Sequence, residues 1–254
     1  MRLTLGLAAA SACLALAAGA AITVAHAAAP VAAALADPAR PDTDRARDAD
    51  RKSAEVLAFS EVKAGDKVAD IFPGGGYYTR IFAAAVGAKG QVYMTIPSEV
   101  LVAEARFKPA DTAKAVAAAY KNVQVITPPI TALKAPEPLD VVFNSQFYHD
   151  EHNPAFGGPD IAKINKAVFD ALKPGGLYIV IDHSAPANTA LRDIATTHRI
   201  DEAAAKAELI AAGFKLEAES QILRNPADQR TLNVFNPEIR GKTDQFMLRL
   251  RKPK

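Results

Sequence analysis

The sequence predicts an α/β domain in which parallel strands alternate with helices, and three observations carry that expectation. Short apolar runs bounded by turn residues alternate with stretches of helical period. A glycine-rich stretch, DIFPGGGYYT at residues 70–79, joins the first apolar run to the helix after it. The chain closes on two apolar runs with no helix between them, which can pair antiparallel. Strands and helices in this alternation make a doubly wound sheet with helices on both faces.

Each element follows from its own residues. From Asp44, RARDADRKSAEVLAF has apolar or small positions at helical spacing and reads as one amphipathic helix. KVADIF is a buried strand, YYTRIFAAAVG a helix closed by Gly87, and GQVYMTI a second strand. SEVLVAEARF and DTAKAVAAAY are helical, NVQVIT is a third strand, and proline-laden PPITALKAPEP loops into LDVVFNS, the fourth. PDIAKINKAVFDALKPGG is a helix with a Pro-Gly-Gly stop before LYIVID, the fifth strand. DEAAAKAELIAAGF is a helix closed by Gly213, and FKLEAESQIL and DQFMLRLRK are the closing strands.

Composition narrows the ligand. Half of the 254 residues are apolar, and 30 Lys and Arg face 28 Asp and Glu with no block of like charge. That balance argues against nucleic acid or an anionic membrane as the main partner and leaves a small molecule. Arg2, the apolar run after it and Ala25-His26-Ala27 predict a cleaved secretory signal over residues 1–27, with an uncleaved anchor as the alternative. A periplasmic or secreted protein is expected, without membrane contact after cleavage. Residues 28–42 read as a flexible Ala/Pro-rich leader, and residues 43–254 as the domain. The single cysteine, Cys13, falls in the apolar run, so the mature chain has no disulfide and relies on its core. Oligomeric state is not legible.

In open parallel sheets ligands bind outside the carboxyl ends of the strands. Polar residues collect there: Asn144, Gln146, Tyr148, His149, Asp150 and His152 after the fourth strand, Asp182 and His183 at the end of the fifth, and His198, Arg199 and Asp201 before the next helix. The run His149-Asp150-Glu151-His152 is either a metal or acid/base site or a solvated loop with local caps. It lacks the spacing of a zinc motif, so no metal ligand set is assigned. Asp182-His183 after an apolar strand marks either a site or a partnered buried pair. Arg199 and Asp201 contact substrate, or serve as surface ion pair and helix cap. The loop carrying Arg230, Asn236 and Arg240 is a lid or a connector.

With KVADIFPGGGYYT on the first strand and turn, LDVVFNSQFYHD on the fourth, ALKPGGLYIVIDHS on the fifth and a two-strand ending, the chain resembles the class I S-adenosylmethionine-dependent methyltransferases, in particular a bacterial group of exported proteins. The resemblance covers roughly residues 43–254. It implies a Rossmann-like seven-stranded sheet in the order 3-2-1-4-5-7-6 with the seventh strand antiparallel, and S-adenosylmethionine as cofactor. Together with the polar residues at the strand ends, it leads to expected cofactor contact by Asp70, Gly74, Gly75, Gly76, Tyr77, Glu99 and Asn144, catalysis by His149 or His183, and substrate contact by Tyr148, Asp150, Asp182, His198 and Arg199. Two positions depart from the pattern. Phe72 stands at the place of the motif's first glycine, and Ile96 where an acid for the ribose hydroxyls is usual, leaving Glu99 to reach back. A methyltransferase acting on a small molecule is the implied activity; a binding protein that kept the fold and lost the donor is the alternative. The antiparallel ending and the missing ribose acid count against a nicotinamide-dependent oxidoreductase.

Overall fold

The computed structural model describes residues 30–103, 108–154 and 160–254. In chain order the named elements are α1 (Asp42–Arg45), α2 (Ser53–Phe59), β1 (Lys67–Ile71), α3 (Tyr77–Val86), β2 (Gln91–Thr95), α4 (Ser98–Ala103), α5 (Pro109–Ala119), β3 (Val123–Ile126) and β4 (Leu139–Ser145). A 3-10 turn (His149–His152) follows, then α6 (Ile161–Ala171), β5 (Leu172–His183), α7 (Ile194–Thr197), α8 (Glu202–Ala211), β6 (Lys215–Ser220) and β7 (Gln245–Arg251).

The seven strands form one sheet in the order β3-β2-β1-β4-β5-β7-β6. The first five are parallel, and β7 runs antiparallel between β5 and β6. Both the strand order and the reversed last strand are those expected. The central strands read as continuous apolar runs because burial is complete along them: Val68, Ala69, Val142, Phe143, Ile179 and Val180 have no exposed surface. Helix α3 lies against β1 and β2, α5 against β3, and α6 against β5 and α8.

Two N-terminal expectations change. The single helix expected from Asp44 to Phe59 is broken into α1 and α2, with Lys52 between them in the left-handed region at φ 50°. Its polar residues are drawn into tertiary pairs instead: Asp48 receives a forked Arg40 guanidinium, and Asp44 receives Arg80 Nε at 2.7 Å. The described part of the expected flexible leader is packed. Residues 30–35 are helical, Ala34 is buried and Arg40 is 1% exposed. The expected signal segment lies outside the described residues, among which no helix is long and apolar enough to cross a membrane.

Candidate active site

The glycine-rich turn leaves β1 at its carboxyl end. Phe72 extends the β1–β2 pairing by donating its N–H to Thr95 O at 2.8 Å, and it does so at φ 47°. The left-handed conformation that a first glycine would supply freely is therefore kept, at a steric cost, by a bulky residue. Its ring is anchored on Phe147, with centroids 4.3 Å apart. Gly74 and Gly76 also have positive φ, 54° and 76°, and Gly76 caps the start of α3.

The three glycines do different work. A Cβ on Gly74 or Gly75 would meet nothing within 4 Å, so those two face open space, whereas one on Gly76 would lie 2.7 Å from Val116 Cγ2. Asp70 orders the turn from below by accepting the Thr79 hydroxyl at 2.6 Å. Burial pushes the Asp70 carboxyl up to about 7, with the Thr79 hydrogen bond working the other way.

Asp70, Phe72, Gly74, Gly75 and Tyr77 line a cleft arm of about 260 Å³. A second arm of about 400 Å³ is lined by His183, Phe235, Arg240 and Thr243, among others. The arms meet at shared walls, Arg47, Arg51, Tyr78 and Gln146. Arg51 sits over both tyrosine rings, 4.5 Å from the Tyr77 centroid and 4.8 Å from that of Tyr78. The two arginines are functional candidates that sequence reading missed; their signal was four-residue spacing in a segment read only as an amphipathic helix. The long loop between β6 and β7 is a fixed wall. Buried Asp228 accepts from Asp244 N, and Asp244 from Asn225 N, each at 2.7 Å. A larger hollow of about 610 Å³ lies between the loop before β4 and α6. It opens at the amino ends of β4 and β5, away from the glycine turn.

Beside the wide arm, four residues from distant segments converge. Asp182, fully buried at the end of β5, accepts His149 Nδ1 at 2.8 Å, His149 N at 2.7 Å and His183 N at 2.7 Å. His149 Nε2 faces His198 Nδ1 at 3.3 Å. Burial alone would lower the His149 pKa, but Asp182 and Asp150 outweigh it and the net shift is upward. His183 goes the other way: burial, with Asp182 opposing, pulls it down to about 3, so it is neutral, and its Nδ1 pairs with Thr243 Oγ1 at 2.8 Å. Of these four, His183 alone lines the cleft. The cluster does not touch Gly75, which belongs to the other arm.

Several expected contacts go elsewhere. Asn144 has no exposed surface and gives its Nδ2 to Glu151 Oε1 at 2.9 Å and Tyr178 OH at 3.2 Å, inside the core and not toward cofactor. Tyr148 is likewise buried, donating to Glu208 Oε2 at 3.0 Å and accepting from Asn165 Nδ2 at 2.8 Å. Arg199 is 1% exposed and bound to Asp228, Ser184 O and Leu232 O, so it braces the wall and does not meet substrate. Glu99 accepts the Ile130 amide at 2.9 Å and does not reach back, while Ile96 is buried. Asp201 caps α8 through Ala203 N. Asp150 lies against His149 and His198 and not on the cleft wall.

No protein-family model matches the chain. Two curated relatives are ubiquinone/menaquinone biosynthesis C-methyltransferases UbiE. That of Ectopseudomonas mendocina is 29% identical over 187 residues, 71% of this chain, and that of Methylococcus capsulatus 30% over 140 residues, 54% of this chain. The chain spans 66% and 51% of their lengths. Among solved structures, a SAM-dependent methyltransferase from Aquifex aeolicus superposes with a TM-score of 0.51 at 18% identity, over 78% of this chain and 88% of its own. The fold of the chain is that of the class I methyltransferases.

Proposed function

We propose that this chain is an S-adenosylmethionine-dependent methyltransferase acting on a small-molecule acceptor. One observation carries the reading: two adjacent cleft arms with four lining residues in common, the narrow one exposing Gly74 and Gly75 and the wide one holding His183 and Thr243. The residues suit the amino-acid end of the donor. The first turn of α3 and the Arg47 and Arg51 guanidiniums offer positive charge to its carboxylate. The ribose end has weaker provision, because Ile96 carries no acceptor and Glu99 is engaged with Ile130. When bound, S-adenosylmethionine supplies an electrophilic methyl group.

The chain's own work is alignment and proton handling. Tyr78 and Gln146, shared by the two arms, hold the two ligands in one line of approach, which is where in-line displacement gains its rate. His183, neutral and fixed by Thr243, accepts a hydrogen bond from the acceptor's nucleophile; its low pKa suits orientation, with the proton leaving to water. A wide arm of about 400 Å³ is the size of a small-molecule site. Calorimetric titration of the chain with S-adenosylmethionine and S-adenosylhomocysteine tests the reading. Saturable binding of both is expected, and no binding up to millimolar ligand sinks it. We also propose export on the strength of Arg2 and Ala25-His26-Ala27. Intact mass from a cell-envelope extract should start at Ala28; a cytosolic protein retaining Met1 would refute it.

A further inference from the structure

His149, Asp150 and His198 offer one ligand atom each, all mutually within 4.8 Å. His149 Nε2 is 3.3 Å from His198 Nδ1 and 3.5 Å from Asp150 Oδ2, and His198 Nδ1 is 3.3 Å from Asp150 Oδ1. Ligand atoms about 2.1 Å from a tetrahedral ion stand about 3.4 Å apart. The ring-to-ring separation matches such an edge, and the Asp150 carboxylate presents a different oxygen at a similar distance from each ring. The Asp150 side chain is 18% exposed and turns one oxygen toward each of the two rings.

The surroundings of the triangle fit the same reading. Asp182 takes the His149 Nδ1–H, which fixes the tautomer that turns the Nε2 lone pair inward and makes that nitrogen a better donor. His198 holds the left-handed conformation at φ 54°, and the loop that carries it is pinned to the end of β5 by a parallel bridge between Ser184 and Ile200. Rigid support and a backbone outlier together aim this ring at the other two groups. His152, next to them in sequence, is excluded: its Nε2 is taken by Glu208 at 3.0 Å.

We propose that His149 Nε2, Asp150 and His198 Nδ1 form a binding site for a divalent transition-metal cation of the zinc class, with Asp182 as the carboxylate behind His149. Two imidazoles and a carboxylate are borderline donors suited to zinc, and three protein ligands leave a fourth position to water. His198 also touches Phe235, with ring centroids 5.0 Å apart, and Phe235 lines the wide arm, so the cation would lie one side chain behind that arm.

The inference does not rest on methyl transfer, and its test contains no methyl donor, so either can fail alone. The chelator-treated chain is titrated calorimetrically with zinc chloride, and with cobalt(II) chloride followed by visible absorption. One ion per chain is expected, with the strong d–d bands of four-coordinate cobalt. His198→Ala and Asp150→Asn should each weaken zinc binding by more than about tenfold, since losing even a residue behind a ligand costs about 10–100-fold. His152→Gln should bind like wild type. Circular dichroism shows that each variant is folded; His198, partly exposed, is the safer change. Absence of a saturable site in the wild-type chain, or unchanged affinity in both ligand variants, overturns the proposal.

Discussion

The rings of Phe72 and Phe147 lie 4.3 Å apart, tilted by 35°, and through that contact the turn after β1 is tied to the segment after β4. The pair explains how Phe72 is held at φ 47°. A double-mutant cycle with Phe72→Ala and Phe147→Ala, measured by urea unfolding, should give a coupling of about 1 kcal/mol, as for other packed aromatic pairs. Strict additivity would mean that the contact does not hold the turn.

Gly75 and Gly76, adjacent in sequence, should respond in opposite ways. Gly75→Val places its side chain in open space within the cleft, so thermal stability should stay near wild type while S-adenosylhomocysteine affinity falls at least about tenfold, because the ligand's room is filled. Gly76→Ala combines positive φ with a Cβ 2.7 Å from Val116 Cγ2, so it should lose roughly 2 kcal/mol or more of stability. Equal stability loss in both variants would contradict this division.

Asp70 should make stability depend on pH. Its folded pKa, about 7, stands above the ordinary carboxylate value of 3.8, so between these two the folded chain binds more protons than the unfolded one. Its contribution is therefore most favourable at low pH and declines as pH rises through that window, by roughly 4 kcal/mol at the upper limit. Asp70→Asn removes the titration. The stability difference between variant and wild type should then grow in the variant's favour from pH 4 to pH 8, and a flat difference would refute the assignment.

Arg199 distinguishes brace from substrate contact. Arg199→Met leaves Asp228 buried without its partner, and a loss of about 3–5 kcal/mol in chemical unfolding is expected. A variant of unchanged stability with a raised acceptor KM would restore the substrate role.

The sheet was legible because its signals are local. The apolar runs of β1, β4 and β5 and the helixless ending each announce themselves within a few residues, and the resemblance supplied the strand order; the expected Pro-Gly-Gly stop instead lies within β5, which begins at Leu172. At the site, the placing of polar residues at strand ends was legible, but their orientation was not. Asn144 lies near the end of the strand that Tyr148 and His149 follow, yet the partners of Asn144 and Tyr148 include Tyr178, Asn165 and Glu208, from elements far along the chain. Whether a polar side chain turns to core or cleft is decided by such distant partners, which periodicity does not encode. The N-terminal arginines were missed for the same reason. Nothing near Arg47 or Arg51 in sequence says that Tyr77 and Tyr78 lie beneath them.

Arg40, Asp48 and Tyr77 form a chain of contacts from the residues before the sheet to the first turn of α3: the Arg40 guanidinium grips Asp48, and the Tyr77 hydroxyl donates to the same carboxylate. A protein trimmed at residue 43 would keep every strand and every glycine of the turn, yet Asp48 would face Tyr77 without its cation. The helix behind the glycine turn and the stretch ahead of the domain are thus one inheritance. Grafting this sheet onto another leader, or fusing a tag close to Arg40, would alter the floor of the cleft from outside it.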